Sequence, residues 1–155
     1  VAQQLHYFIF ANAKRTQANR SPVMTKRTIE VEDVLPDCVQ TALEEVNNLL
    51  RDYIKDNEPD SVPCLSNDLD YDGSVHGIVD GSVPIWDSQI EAAWFLHGRA
   101  LQQAYENAGV GENPRENNGM AAIYYYIYEK VAEWYAENAE RIFDELRHGD
   151  CTDKE

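Results

Sequence analysis

The chain is 155 residues long, about one domain's worth and enough for a single hydrophobic core. Its 28 Asp and Glu against 13 Lys and Arg leave a formal charge of −15, which excludes nucleic-acid binding through a basic patch. A hydrophobic content of 43% with nine Tyr and three Trp excludes disorder, and no apolar run is long enough for a transmembrane helix.

Charge divides the chain unevenly. Residues 1–29 contain no acid and five bases (Lys14, Arg15, Arg20, Lys26, Arg27), whereas residues 30–155 hold all 28 acids and eight bases. The stretch from Leu5 to Ala13 ends its short apolar run in an A-x-A pattern, as a secretory signal does. The basic segment that should precede the run is missing, and the bases follow it, so the order is wrong for secretion. Met24-Thr25-Lys26-Arg27 reads as an ordinary translation start, which would make residues 1–23 upstream sequence. The basic leader 1–29 is expected to stand outside the fold, with residues 30–155 forming a single acidic helical domain. Three widely spaced cysteines (Cys38, Cys64, Cys151) without a CxxC pair make neither a disulfide framework nor a zinc knuckle, and they point to a reducing cytoplasm.

The predicted fold class is all-α, a bundle of about three main helices at roughly 36–56, 83–108 and 118–147. The first opens after Leu35, with Pro36 in the first turn, where its missing N–H costs nothing, and Asp37 beside it to complement the helix dipole. Val39, Leu43, Val46, Leu50, Tyr53 and Ile54 then recur at helical spacing. Residues 57–83 carry Pro59, Pro63, Gly73, Gly77 and Gly81 and read as irregular, with at most one helical turn around Val75–Val79. A second helix is expected from Val83-Pro84, with Ser82 as its N-cap, through Ile85, Trp86, Ile90, Ala93, Trp94, Leu101 and Tyr105 to a stop at Gly109. The third is the clearest: Met120, Ile123, Tyr124, Ile127, Tyr128, Val131, Trp134, Tyr135, Ala139, Ile142, Phe143 and Leu146 form one apolar stripe ending at Gly149. No period-two strand is expected anywhere.

Catalytic patterns are absent: there is no HExxH, P-loop, GxSxG or GxGxxG. His76 and Asp80, four apart, suit a metal pair or an oriented base, but beside Gly77 and Gly81 they are read as a local capping or hydrogen-bond arrangement. Glu137-x-x-Glu140 matches half of the helical carboxylate set with which all-α pyrophosphohydrolases of the MazG type hold magnesium. The other half would have to come from Glu44-Glu45, where no ExxE or ExxD exists. No catalytic residue, cofactor or metal is therefore assigned, and the protein is expected not to be an enzyme.

The acids of the third helix raise an energetic question. Glu129, Glu133 and Glu137 follow at four-residue steps, with Glu140 and Asp144 beyond, and each like-charge i,i+4 pair costs an isolated helix roughly 0.2–0.5 kcal/mol. Residues 116–146 offer only Lys130 and Arg141 in compensation. Plain solubility is one explanation. The other is geometric: a helical ladder spaces carboxylates roughly 6 Å apart, and duplex DNA presents one phosphate per strand about every 3.4 Å, so acidic helices approximate a phosphate rail.

The segment Ile127-Tyr128-Glu129-Lys130 through Glu137-Asn138-Ala139-Glu140-Arg141-Ile142-Phe143 to Glu145 resembles the long C-terminal helix of the Ocr-like family of phage anti-restriction DNA mimics. His76-x-x-x-Asp80-x-x-Val83-Pro84, with Ile90 beyond, resembles the segment leading into that family's central helix, and the two occur in the family's order over roughly residues 37–148. The resemblance implies a dimeric all-α phage protein, cytoplasmic in an infected bacterial host. Its acidic surface would occupy the DNA groove of a type I restriction–modification or similar DNA-binding defence enzyme. Matching acids stand at Asp80, Glu129, Glu137, Glu140 and Glu145. The family has acids where this chain has Asn138, Arg141 and Trp134, and a very acidic tail where it has His148-Gly149-Asp150-Cys151. The expected DNA-mimic surface is Asp80, Glu129, Glu133, Glu137, Glu140, Asp144 and Glu145. The expected partner is that enzyme, with no direct nucleic acid and no membrane. Tyr125 and Tyr126 fall off the apolar stripe and are expected at a homodimer interface. An acidic phage adaptor that binds another protein is the alternative.

Overall fold

The computed structural model describes residues 2–10 and 24–148, with backbone only for 2–10 and 24–30. The chain separates into two compact units, Val1–Asp33 and Val34–Glu155.

In the first unit β1 (Ala2–Phe10) pairs antiparallel with β2 (Met24–Glu32), in a register running from Ala2 opposite Glu32 to Phe10 opposite Met24. The expectation of no strand fails here. Tyr7, Phe8, Ile9 and Phe10 on one side and Thr25, Thr28, Ile29 and Val31 on the other are residues that favour extended backbone. Thr28-Ile29-Glu30-Val31-Glu32 also alternates at period two, a signal too short to stand out beside the long helices.

The second unit is helical. Among the described residues it contains four α-helices rather than three: α1 (Leu35–Asn57), α2 (Ser74–Ser82), α3 (Asp87–Ala108) and α4 (Met120–Arg147), with a π-type turn at Leu65–Leu69 and a 3-10 turn at Glu116–Gly119. Helix α4 is the spine, and α1, α2 and α3 all pack against it. Its 28 residues span about 42 Å at 1.5 Å per residue. Ile123, Ile127, Val131, Tyr135, Ala139 and Ile142 meet Ala42, Val46, Leu50 and Ile54 of α1 and Ile90, Trp94, Leu101 and Tyr105 of α3 in one core.

Helix α1 matches its predicted bounds to one residue at each end. Pro36 and Asp37 occupy its first turn, Lys55 its last, and Glu58 closes it in the left-handed region at φ 44°. Helix α2 exceeds the single turn expected around Val75–Val79 and runs for nine residues. Asp70 Oδ1 accepts the N–H groups of Val75 and His76 at 2.9 and 3.0 Å, and Asp72 Oδ1 accepts that of Ser74 at 3.1 Å. These caps, with Val75 and Val79 buried, offset the cost of roughly 1 kcal/mol that each of Gly77 and Gly81 imposes.

Helix α3 begins at Asp87, four residues later than predicted. Ser82 is not its N-cap but the last residue of α2, where its hydroxyl donates to the Ile78 carbonyl at 2.8 Å. Pro84 forces Val83 out of the helical region (φ −69°, ψ 137°). Ile85 and Trp86, placed on the apolar stripe by the sequence, therefore lie before the helix, 75% and 65% exposed. The helix bends at His97 (φ −128°) and ends at Gly109 as expected.

Three successive residues with positive φ, Asn117, Asn118 and Gly119, turn the chain into α4. Gly119 is required there. Trp94 Nε1 donates to its carbonyl at 3.1 Å, and a Cβ would fall 1.9 Å from that nitrogen. Helix α4 closes at His148, whose N–H reaches the Asp144 carbonyl at 2.8 Å. The predicted stop at Gly149, and Cys151, lie outside the described residues, as does the stretch 11–23.

Candidate interaction surfaces

Two surfaces meet on α4. At about 100° per residue, Glu129, Glu133, Glu137, Glu140 and Asp144 fall within an arc of about 80°, on the far side of the helix from Ile127, Val131, Tyr135 and Ile142. Glu133, Glu137, Glu140 and Asp144 are exposed, and Glu129 is half-buried. The row from Glu129 to Asp144 is about 22 Å long, a length over which one DNA strand carries about six or seven phosphates. Neutralisation is slight: Lys130 reaches Glu133 at 3.5 Å, while Glu137, Glu140 and Asp144 have no ion pair among the described residues. The remaining two predicted acids lie elsewhere. Glu145 pairs with Arg141 at 3.1 Å and Arg51 at 3.8 Å, tying α4 to α1. Asp80 is exposed on α2.

Asn138 and Arg141 flank the row and bond to each other at 3.1 Å. Across residues 34–148 there are 22 acids and seven bases, so the field of the helical unit is strongly negative.

The second surface is a groove beside the first half of α4. His76, Ala104, Asn107, Ala108, Tyr124, Tyr125, Tyr128 and Glu129 line a volume of about 280 Å³. A neighbouring cavity of about 530 Å³ shares Tyr124 and Tyr125 and is flanked by Asp80, Val83, Asn117, Asn118, Met120 and Ala121. His76 packs against Tyr124 and Tyr128, with ring centroids 6.0 and 5.5 Å away, and Tyr124 stands edge-on to Tyr125 at 5.1 Å. Its partner is not Asp80, as the four-residue spacing suggested, but Asp70, whose Oδ2 meets His76 Nδ1. The same carboxylate caps α2, so the histidine belongs to a capping arrangement of the kind expected, through an acid six residues upstream rather than four downstream. An Asp-rich approach to a Ser-initiated helix was the available signal for it.

Burial shifts the phenols. Tyr124 is pushed up to about 12, first by desolvation and then by Tyr128, Tyr125, Asp70 and Asp80, all of which oppose a phenolate. Its hydroxyl is buried without a hydrogen-bond partner. Tyr128 is raised in the same way, by burial and then Asp70. Tyr135 is raised by burial too, and its hydroxyl donates to the Pro63 carbonyl, fastening the irregular segment to α4.

Tyr125 and Tyr126, predicted at a dimer interface, are half-buried against the protein's own core. Tyr125 also packs edge-on to Tyr105, and Tyr126 lies under Lys130 at 5.3 Å. Among the described residues the large apolar side chains that stand out into solvent are Tyr71, Ile85, Trp86, Phe95, Val110 and Met120. Glu44 and Glu45 do not join the acids of α4 in a metal site, and no cluster of three or more His, Cys, Asp or Glu among the described residues is placed to hold a metal ion. No helix among the described residues is long and apolar enough to cross a membrane. In comparisons with known proteins, no protein-family model, curated protein or solved structure matches the chain.

Proposed function

We propose that this protein is a non-enzymatic DNA mimic of phage origin. It would act in the bacterial cytoplasm by occupying the DNA-binding groove of a type I restriction–modification or similar DNA-binding defence enzyme. The observation that carries the reading is the five-carboxylate row on the outward side of α4, within a unit of 22 acids and seven bases. A solvated helix surface ordinarily interleaves cations at i,i+4; here Arg141, four residues after Glu137, turns to Glu145 and Asn138, so Glu137, Glu140 and Asp144 keep no ion pair among the described residues. Partner lysines and arginines that hold phosphates would meet these carboxylates at comparable spacing, so binding would weaken steeply with salt.

A type I restriction assay with the purified protein and DNA as competitor tests the reading. The expected result is suppression of cleavage that is relieved by added salt. Unchanged cleavage at large molar excess removes it. A homodimer is part of this proposal, with Ile85, Trp86 and Phe95 as apolar surface available for it, and light scattering measures it directly. The acidic adaptor remains the second reading, favoured by the same exposed apolar residues. In that case reversing Glu137 and Glu140 to Lys leaves partner binding nearly intact.

A further inference from the structure

The groove carries features that the outward acid row does not explain. Its walls include Tyr124, Tyr125 and Tyr128 and the imidazole of His76, with Tyr124 and Tyr128 stacked at 6.3 Å and Tyr125 edge-on to Tyr124. Aromatic faces are the negative ends of their quadrupoles and attract cations. At its edge, Asn107 Nδ2 donates to Glu129 Oε2 at 3.0 Å, which holds the carboxylate in place while leaving Oε1 unbonded. No Lys or Arg lines either of the two adjoining cavities among the described residues. Elsewhere this chain already seats cations on its rings: the Arg115 guanidinium lies 4.6 Å from the Trp94 ring centroid, and the Lys130 ammonium 5.3 Å from that of Tyr126. At about 280 Å³ the groove has room for a single side chain.

We infer that the groove receives an arginine side chain of the partner protein. The guanidinium stacks on the tyrosine rings and forks onto Glu129. Arginine suits the site better than lysine because its plane matches both the ring faces and the carboxylate, and its weaker hydration lowers the cost of entry. The inference rests on the proposed inhibitor reading for its partner, a DNA-binding protein whose phosphate-contacting surface is rich in such side chains, but its test does not require that partner.

The test titrates the full-length 15N-labelled protein with N-acetylarginine amide, and separately with N-acetyllysine amide. The expected result is saturable shifts confined to Tyr124, Tyr125, Tyr128, Glu129 and their neighbours, with lysine about threefold weaker. Glu129→Gln should weaken arginine binding about tenfold. Tyr128→Leu should weaken it about threefold and erase the preference over lysine. Asp56→Asn, on α1, which lines neither cavity, should change nothing. Shifts spread evenly over all exposed acids, equal affinity for both probes, or a folded Glu129→Gln variant that binds as the parent does would each overturn the inference. The restriction assay is read independently. Cleavage suppressed without arginine binding removes the groove and keeps the mimic, and arginine binding without suppression does the reverse.

Discussion

The two ends of α4 handle polar groups in opposite ways. Near its start, Tyr124, Tyr125, Tyr128 and Glu129 are half-buried, locked against α2 and α3, and each is tied to a ring contact or a hydrogen bond. Further along, Glu137, Glu140 and Asp144 project from the outward side without an ion pair among the described residues, Arg141 beside them being turned to Glu145. The first region is coupled to the fold, so a change in its chemistry also changes stability. The second is free of the core, so its charge can be rewritten at almost no structural cost. An exposed acid row is thus the part of this molecule most open to selection for a partner's surface.

That contrast breaks most visibly in the core the two ends share. Ile127 and Ile142 lie one under each region, 0% and 1% exposed. Either one replaced by Ala should destabilise the protein by about 2–5 kcal/mol in urea denaturation. A loss far smaller at Ile142 than at Ile127 would show that the acidic end of the helix frays independently. Next in size is Tyr135→Phe, which strips the Pro63 carbonyl of its donor and should cost about 1–3 kcal/mol. Its effect should appear as increased hydrogen exchange or proteolysis within the segment 58–69.

How far the sequence foretold this architecture varies with the range of the forces involved. The stripe of α4 and the limits of α1 follow from periodicity and first-turn chemistry within one element, and they were legible to a residue or two. Helix α2 was not, because its glycines argue locally against it while its stability comes from the Asp70 and Asp72 caps and the burial of Val75 and Val79. The acid row was legible as spacing. The groove was not, because it forms only where Asn107 and Ala104 of α3 and His76 of α2 converge on α4, and no sequence offset encodes that meeting. Tyr125 is the instructive case: it falls off the stripe by period, yet Tyr105 from α3 partly covers it.

Tyr124 gives a smaller effect with a pH signature. Below pH 10 its phenol is protonated in both folded and unfolded chains. Between 10 and about 12 the unfolded chain releases a proton that the folded protein retains, so stability falls as pH rises through that window. Tyr105, Tyr128 and Tyr135 are shifted in the same direction and add to the slope. Tyr124→Phe should flatten the decline and, by removing a buried hydroxyl that lacks a partner, should raise stability at neutral pH by about 1 kcal/mol. A loss of stability at neutral pH in this variant would mean that the hydroxyl is bonded in solution.

The smallest thermodynamic effect is expected where the functional one should be greatest. In the double variant Glu137→Lys, Glu140→Lys, neither original carboxylate has an ion pair to lose among the described residues. Glu137→Lys sets a cation four residues after Glu133, an orientation worth roughly 0.2–0.5 kcal/mol, but also four residues before Arg141, a like-charge pair of similar cost, and Glu140→Lys sets one four residues before Asp144. Stability should therefore stay level to within a few tenths of a kcal/mol, as read from the urea midpoint. The charge of the row changes by four units over about 5 Å, so a partner held by electrostatic complementarity should lose most of its affinity, and the salt dependence of what remains should flatten. A variant equally stable and equally inhibitory would mean that the row serves solubility alone. Function would then have to reside in the region of α4 where charge and packing are inseparable.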